Sequence, residues 1–126
     1  MRATLTDHAT KLAAGKVTAA QLVDESLSRI ADEAGEGARA FVKVHADKAR
    51  TAARAADDLR KAGLSPSRFA GIPIAVKDLF DLEGEATPAG SKVLANAAPA
   101  KADATAIARL KAAGFIVVGR NNMTEF

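Results

Sequence analysis

Lys77 closes an apolar run, Gly71-Ile72-Pro73-Ile74-Ala75-Val76-Lys77-Asp78, and a turn-rich stretch with Gly84, Pro88 and Gly90 follows it. A lysine at the end of a buried strand can lose hydration, which disfavours its charged form. An amine that is neutral near pH 7 can take a proton as a general base. The same pattern also arises where an apolar strand simply reaches solvent. Asp78 and Asp81 lie just beyond the strand and could bind a cation or pair with Lys77. A carboxylate beside the amine would hold it protonated and oppose the base role. Geometry decides between these readings.

Other residue types suited to chemistry are fewer. Gly84-Glu85-Ala86-Thr87-Pro88-Ala89-Gly90-Ser91-Lys92 superficially has the look of a phosphate-binding loop. Its serine precedes its lysine, and Pro88 removes a backbone donor, so it reads as a structural turn. His8 and His45 are the only histidines, and neither has a partner at metal-ligand spacing. His45 falls at a strand-to-helix corner. No serine sits in a Gly-x-Ser-x-Gly elbow, and Ser91 after Gly90 reads as a turn hydroxyl bonding nearby backbone.

The elements that would position Lys77 follow from periodicity. Leu5 to Ala14 reads as a short helix closed by Gly15. Thr18 and Gln21 have capping-box spacing, and Leu22, Val23, Leu27 and Ile30 place an apolar face on a helix over 18–33. Phe41-Val42-Lys43-Val44 reads as a short strand, and Asp47 to Ala62 as an alanine-rich helix with Gly63 at its C-cap. The strand ending at Lys77 comes next. A loop over 81–90, a short helix near Ser91–Asn96 and a turn at Pro99 follow. Asp103 is expected to cap a helix over Ala104–Ala113, ended by Gly114, before a buried strand, Phe115-Ile116-Val117-Val118. Strands separated by helices predict an α/β layered arrangement with a partly parallel sheet. The first 35 residues are expected to be helical and residues 40–126 to be α/β, all within one domain.

Composition narrows the setting. The 126 residues are 48% hydrophobic but only 4% aromatic, so alanine rather than bulky side chains fills the core. A net charge of +3 is scattered along the chain, and tyrosine and tryptophan are absent. Neither a clustered basic footprint nor stacking aromatics is present, so nucleic acid is not an expected partner. Without cysteine there is no disulfide framework. No run approaches the roughly 20 apolar residues that cross a membrane, and the first residues lack a secretory apolar core. A cytoplasmic setting is expected. The final residues, Asn121-Asn122-Met123-Thr124-Glu125-Phe126, read as the start of another helix with Thr124 as its cap, which predicts a fragment of a longer fold.

Four segments in order carry a resemblance. Gly71–Asp78, then Thr87-Pro88-Ala89-Gly90-Ser91, then Asp103-Ala104-Thr105 with Arg109–Gly114, then Gly119-Arg120-Asn121-Asn122-Met123-Thr124-Glu125-Phe126 resemble the amidase signature family. Thr18-x-x-Gln21-Leu22-Val23 and Ala40-Phe41-Val42 are similar to its N-terminal helices and first strand. The resemblance implies the N-terminal part of a mixed twisted sheet covered by helices, incomplete in this chain. It implies hydrolysis of carboxamides without metal or cofactor, by a lysine, a cis-serine and a nucleophilic serine. The family's lysine maps onto Lys77. Both serines belong to a Gly/Ser-rich segment downstream of the position that matches Phe126, so this chain alone is expected to be inactive. Asn122 and Met123 are expected at the edge of the substrate pocket. The expected substrate is a small amide, and a second copy or a C-terminal companion chain would complete the fold. Two alternatives stand beside a stand-alone amidase. One is the glutamine-hydrolysing A subunit of a tRNA-dependent amidotransferase; the other is a non-catalytic remnant serving as an interaction module. Thr124, where the amidotransferase proteins often carry aspartate, tilts the reading to the amidase.

Overall fold

In the computed structural model, which describes residues 2–124, three strands and five helices follow one another along the chain. Helix α1 spans Leu5–Ala13 and opens with a capping box, Thr4 accepting from the Asp7 N–H and Asp7 from the Thr4 N–H. Helix α2 spans Ala19–Ala31 and uses the expected box of Thr18 and Gln21. These local reciprocal bonds satisfy N–H groups that have no partner within a helix. A one-turn helix, α3 (Gly37–Ala40), runs directly into β1 (Phe41–Val44). Helix α4 (Ala46–Lys61), β2 (Pro73–Lys77), α5 (Thr105–Ala112) and β3 (Ile116–Asn121) complete the set.

The sheet has the order β1-β3-β2, with β3 in the centre, antiparallel to β1 and parallel to β2. Central position explains why β3 is the most deeply buried of the three strands. Gly119 is needed at the crossing with β1, because a Cβ there would lie 2.4 Å from the Lys43 carbonyl oxygen. Both outer strands, β1 and β2, keep one edge unpaired among the described residues. Such edges are templates for further strands.

The main core joins Ala19, Val23 and Leu27 of α2 to Ala49 and Ala53 of α4 and to Ile116 and Val118 of β3. Small alanines allow α2 and α4 to pack closely with few bulky side chains, as the composition requires. Asp57 of α4 reaches across to the start of α2, its carboxylate accepting from the N–H groups of Ala19 (2.7 Å) and Ala20 (3.1 Å). A smaller cluster beneath α5 contains Val76, Leu82 and Ile107.

Three local expectations are corrected. No helix forms near Ser91–Asn96: the segment is a run of turns with Val93 exposed, because it offers no apolar stripe to bury. Asp103 does not cap α5; it accepts instead from the Glu83 N–H (2.9 Å) and from Lys111 (2.8 Å), and Ala104 takes the cap position without a side-chain bond. The last strand runs on to Asn121 rather than stopping at Val118, and the helix expected to be capped by Thr124 would begin beyond the described residues. Glu125 and Phe126 lie outside the described residues.

Candidate active site

Strand alternation sends successive side chains to opposite faces. Along β2, Val76 is buried while Ala75 and Lys77 are exposed. The register pairs Lys77 with Asn121 of β3, so these two share a face. Lys77 is therefore solvated at the end of an edge strand, and the desolvation expected from its apolar run is not present in these residues. The run is apolar because its alternate members, Ile72 and Val76, enter the core.

Asp78 goes the other way. It is buried and its carboxylate accepts from Arg120 Nε at 2.7 Å, with the arginine side chain 2% exposed. Neither a cation site nor a pair with Lys77 forms: Asp81 accepts from the Thr87 hydroxyl (2.6 Å), and no group of acidic and histidine side chains suited to a metal occurs among the described residues. Arg120 also donates to the Phe80 carbonyl (3.0 Å) and lies 3.5 Å from Glu85 Oε2. Glu85 in turn meets His45 Nε2 (2.5 Å) and Lys43 (3.3 Å). Burial pushes the Glu85 carboxyl up, but the bonds and charges of His45 and Lys43 outweigh it and hold the group below its ordinary value. His45 sits at the strand-to-helix corner, as the sequence indicates.

This cluster is the feature that sequence reasoning missed. Arg120 and Asp78 are 42 residues apart, and His45 and Glu85 are 40 apart. An arginine inside an apolar strand was the available signal, since burial of such a charge demands a partner.

A cleft of about 510 Å³ lies over the cluster, lined among others by Lys43, Asp78, Glu85, Ser91, Arg120 and Asn122. Ser91 is buried there, and its hydroxyl accepts from the Val93 N–H at 3.3 Å, a local turn bond. Asn122 lines the cleft and its amide reaches the Arg39 carbonyl at 3.4 Å. Lys77 and Met123 are not among its lining residues.

The profile of the family described as Amidase matches residues 21–126, which takes in most of α2, the sheet, Lys77 and the Arg120 cluster. The chain belongs to the Amidase family. It is 45% identical over 115 residues to the A subunit of a glutamyl-tRNA(Gln) amidotransferase from Anaeromyxobacter sp. (strain K), covering 91% of this chain and 23% of that protein. The corresponding protein of Chloroflexus aurantiacus (strain ATCC 29366 / DSM 635 / J-10-fl) is 44% identical over 123 residues, 98% of this chain and 25% of the relative. Among solved structures, this amidase-family chain superposes with a TM-score of 0.89 and 38% identity on a chain of a vestigial protein complex described as revealing the evolutionary origins of an s-triazine catabolic enzyme. That match covers 98% of this chain and 27% of the other. The native peptide amidase of Stenotrophomonas maltophilia gives a TM-score of 0.86 at 30% identity, over 98% of this chain and 25% of that one. The chain thus spans about a quarter of the length of these relatives. Its small mixed α/β sheet is the corresponding part of the amidase-signature fold, incomplete beside theirs.

Proposed function

We propose that this chain is the front of an amide-hydrolysing domain and carries its general base, Lys77. The observation that supports this most is the place of Lys77 within a family match of 106 residues, at the end of β2 on an uncovered face of the sheet. A base must meet the other reacting groups, and an uncovered face leaves room for them. In the complete domain, Lys77 takes a proton through a bridging serine while a second serine attacks the amide carbonyl. Backbone N–H groups stabilise the oxyanion, the amine or ammonia leaves, and water releases the acid. Both serines come from outside these residues, and the residues that bring them also cover β2, stripping water from the amine. Asn122 and Met123 sit at the rim of the substrate site. Small carboxamides are the substrate class, and no cofactor takes part. The remaining part of the fold is supplied by further residues of the same polypeptide, a companion chain or a second copy.

The test is ammonia release by the complete polypeptide from a panel of aliphatic and aryl amides and from glutamine. Turnover of simple amides, with none by the 126-residue chain alone, is expected. Turnover of no amide by the complete polypeptide would overturn the reading and leave a non-catalytic interaction module.

A second reading has its own support: the curated relatives at 40–45% identity are amidotransferase A subunits. In that case glutamine is the amide, and ammonia passes to a partner protein that modifies charged tRNA. Ammonia release confined to glutamine and stimulated by such a partner would favour it over the stand-alone amidase.

A further inference from the structure

We propose that Arg120 is a positioning residue for Lys77, acting through Asp78: it neutralises the neighbouring carboxylate and clasps the turn that ends β2. The inference rests on the reading of Lys77 as the general base.

Lys77 and Asp78 are consecutive, so their Cα atoms stand about 3.8 Å apart. An unpaired carboxylate at that position would favour the ammonium form of the lysine and suppress its use as a base. The structure removes this conflict in two ways. Alternation sends the two side chains to opposite faces, Lys77 outward and Asp78 inward. Arg120 then meets Asp78 with Nε at 2.7 Å, and the same guanidinium reaches the Phe80 carbonyl at 3.0 Å and the Asp78 carbonyl at 3.5 Å. One side chain thereby holds the carboxylate and two carbonyls of the segment following Lys77. The backbone of that segment is fixed as well, through Asp78 N–H to the Asn121 carbonyl (3.1 Å) and Phe80 N–H to the Lys77 carbonyl (3.1 Å). A lysine at 120 could not reproduce this pattern, since the planar fork of five donors is particular to arginine.

The other charged groups around the pair are accounted for. Glu85 from the loop lies 3.5 Å from Arg120 Nη1, and it is tied in turn to His45 at the β1–α4 corner and to Lys43 of β1. Lys92 lines the adjoining cleft. Buried ion pairs add little stability over apolar packing, so retention of this one fits a role in placing charge.

The experiment uses the complete polypeptide and the pH profile of kcat/KM on an amide it hydrolyses, for Arg120→Met, Asp78→Asn, the double variant and Lys77→Ala. Arg120→Met strands the carboxylate, and the acid limb is expected to move up by about one pH unit. Asp78→Asn leaves an unbalanced guanidinium, which moves the limb down. The double variant restores its wild-type position. Reduced activity in Arg120→Met, Asp78→Asn and the double variant with an unmoved limb would show a merely structural role and overturn the inference. If Arg120→Met does not fold, Asp78→Asn decides alone, and an unmoved limb overturns the inference. Should Lys77→Ala keep full activity, the base reading fails and the inference falls with it. An inactive Lys77→Ala with unmoved limbs in the other variants removes the Arg120 inference only.

Discussion

Replacing Asp57 by alanine should loosen the start of α2 although the two residues it serves are 38 and 37 positions away. The Asp57 carboxylate accepts from the N–H groups of Ala19 at 2.7 Å and Ala20 at 3.1 Å. Hydrogen bonds to a charged group contribute about 1.5–3 kcal/mol each. The two bonds are unequal here. Ala19 is 1% exposed, so its freed N–H has little access to water, whereas half-buried Ala20 can recruit a water molecule. A total near 2–3 kcal/mol follows for Asp57→Ala, below the sum of two full-strength bonds because water replaces the one at Ala20. Asparagine keeps one acceptor oxygen but loses the charge at the helix N-terminus, and Asp57→Asn should cost about 1 kcal/mol. Native-state hydrogen exchange at the amides of residues 19–23 reads this locally. Exchange in Asp57→Ala should be roughly 30- to 150-fold faster than in the parent chain, with Asp57→Asn between. Unchanged exchange at Ala19 and Ala20 in Asp57→Ala would refute the reasoning.

Other expectations concern the charged cluster, one glycine and the sheet edges. Because Glu85 is held below its ordinary value, its stabilising contribution is present above the unfolded carboxyl value of about 4.3 and is lost as pH falls through the folded one. Glu85→Gln should therefore be less stable than the parent at neutral pH, and the gap should close on acidification; a pH-independent gap in urea midpoints would count against this. Gly114 has φ +92°, and a Cβ there would lie 2.5 Å from the Ala70 Cβ. Gly114→Ala should destabilise by about 2–3 kcal/mol, read as a lower urea midpoint. With two unpaired sheet edges, the 126-residue chain alone should associate in a concentration-dependent way, and a sharp, concentration-independent melting transition of a monomer would speak against it.

Much of this fold could be read from short-range pattern. The Thr18–Gln21 box, the apolar face of α2 and the apolar run of β2 each follow from residues within a few positions of one another. The matching box of Thr4 and Asp7 carries the same kind of local signal, outside the span expected for the first helix only by its cap. What could not be read depends on distant partners. Asp103 looks like a helix cap until Glu83 and Lys111 claim its oxygens, and Asp57 caps a helix nearly forty residues upstream. Lys77 was legible by its apolar run, but its solvation depends on which residues cover β2, and that is a property of the sheet rather than of the run. Asp78 beside it looks like a competitor for the lysine, and only the register of β3 reveals that Arg120 occupies it.

The central claim is that Lys77 is the proton-accepting group of an amide-hydrolysing site. The most direct test is Lys77→Ala in the complete polypeptide, with ammonia release and thermal unfolding measured on the same preparation. On this account the rest of the domain covers Lys77, and the unfolding curve separates a lost base from a lost fold. Loss of the base should slow hydrolysis by about 10²- to 10⁴-fold in protein that still unfolds cooperatively. A folded Lys77→Ala protein that releases ammonia at the parent rate would contradict the account.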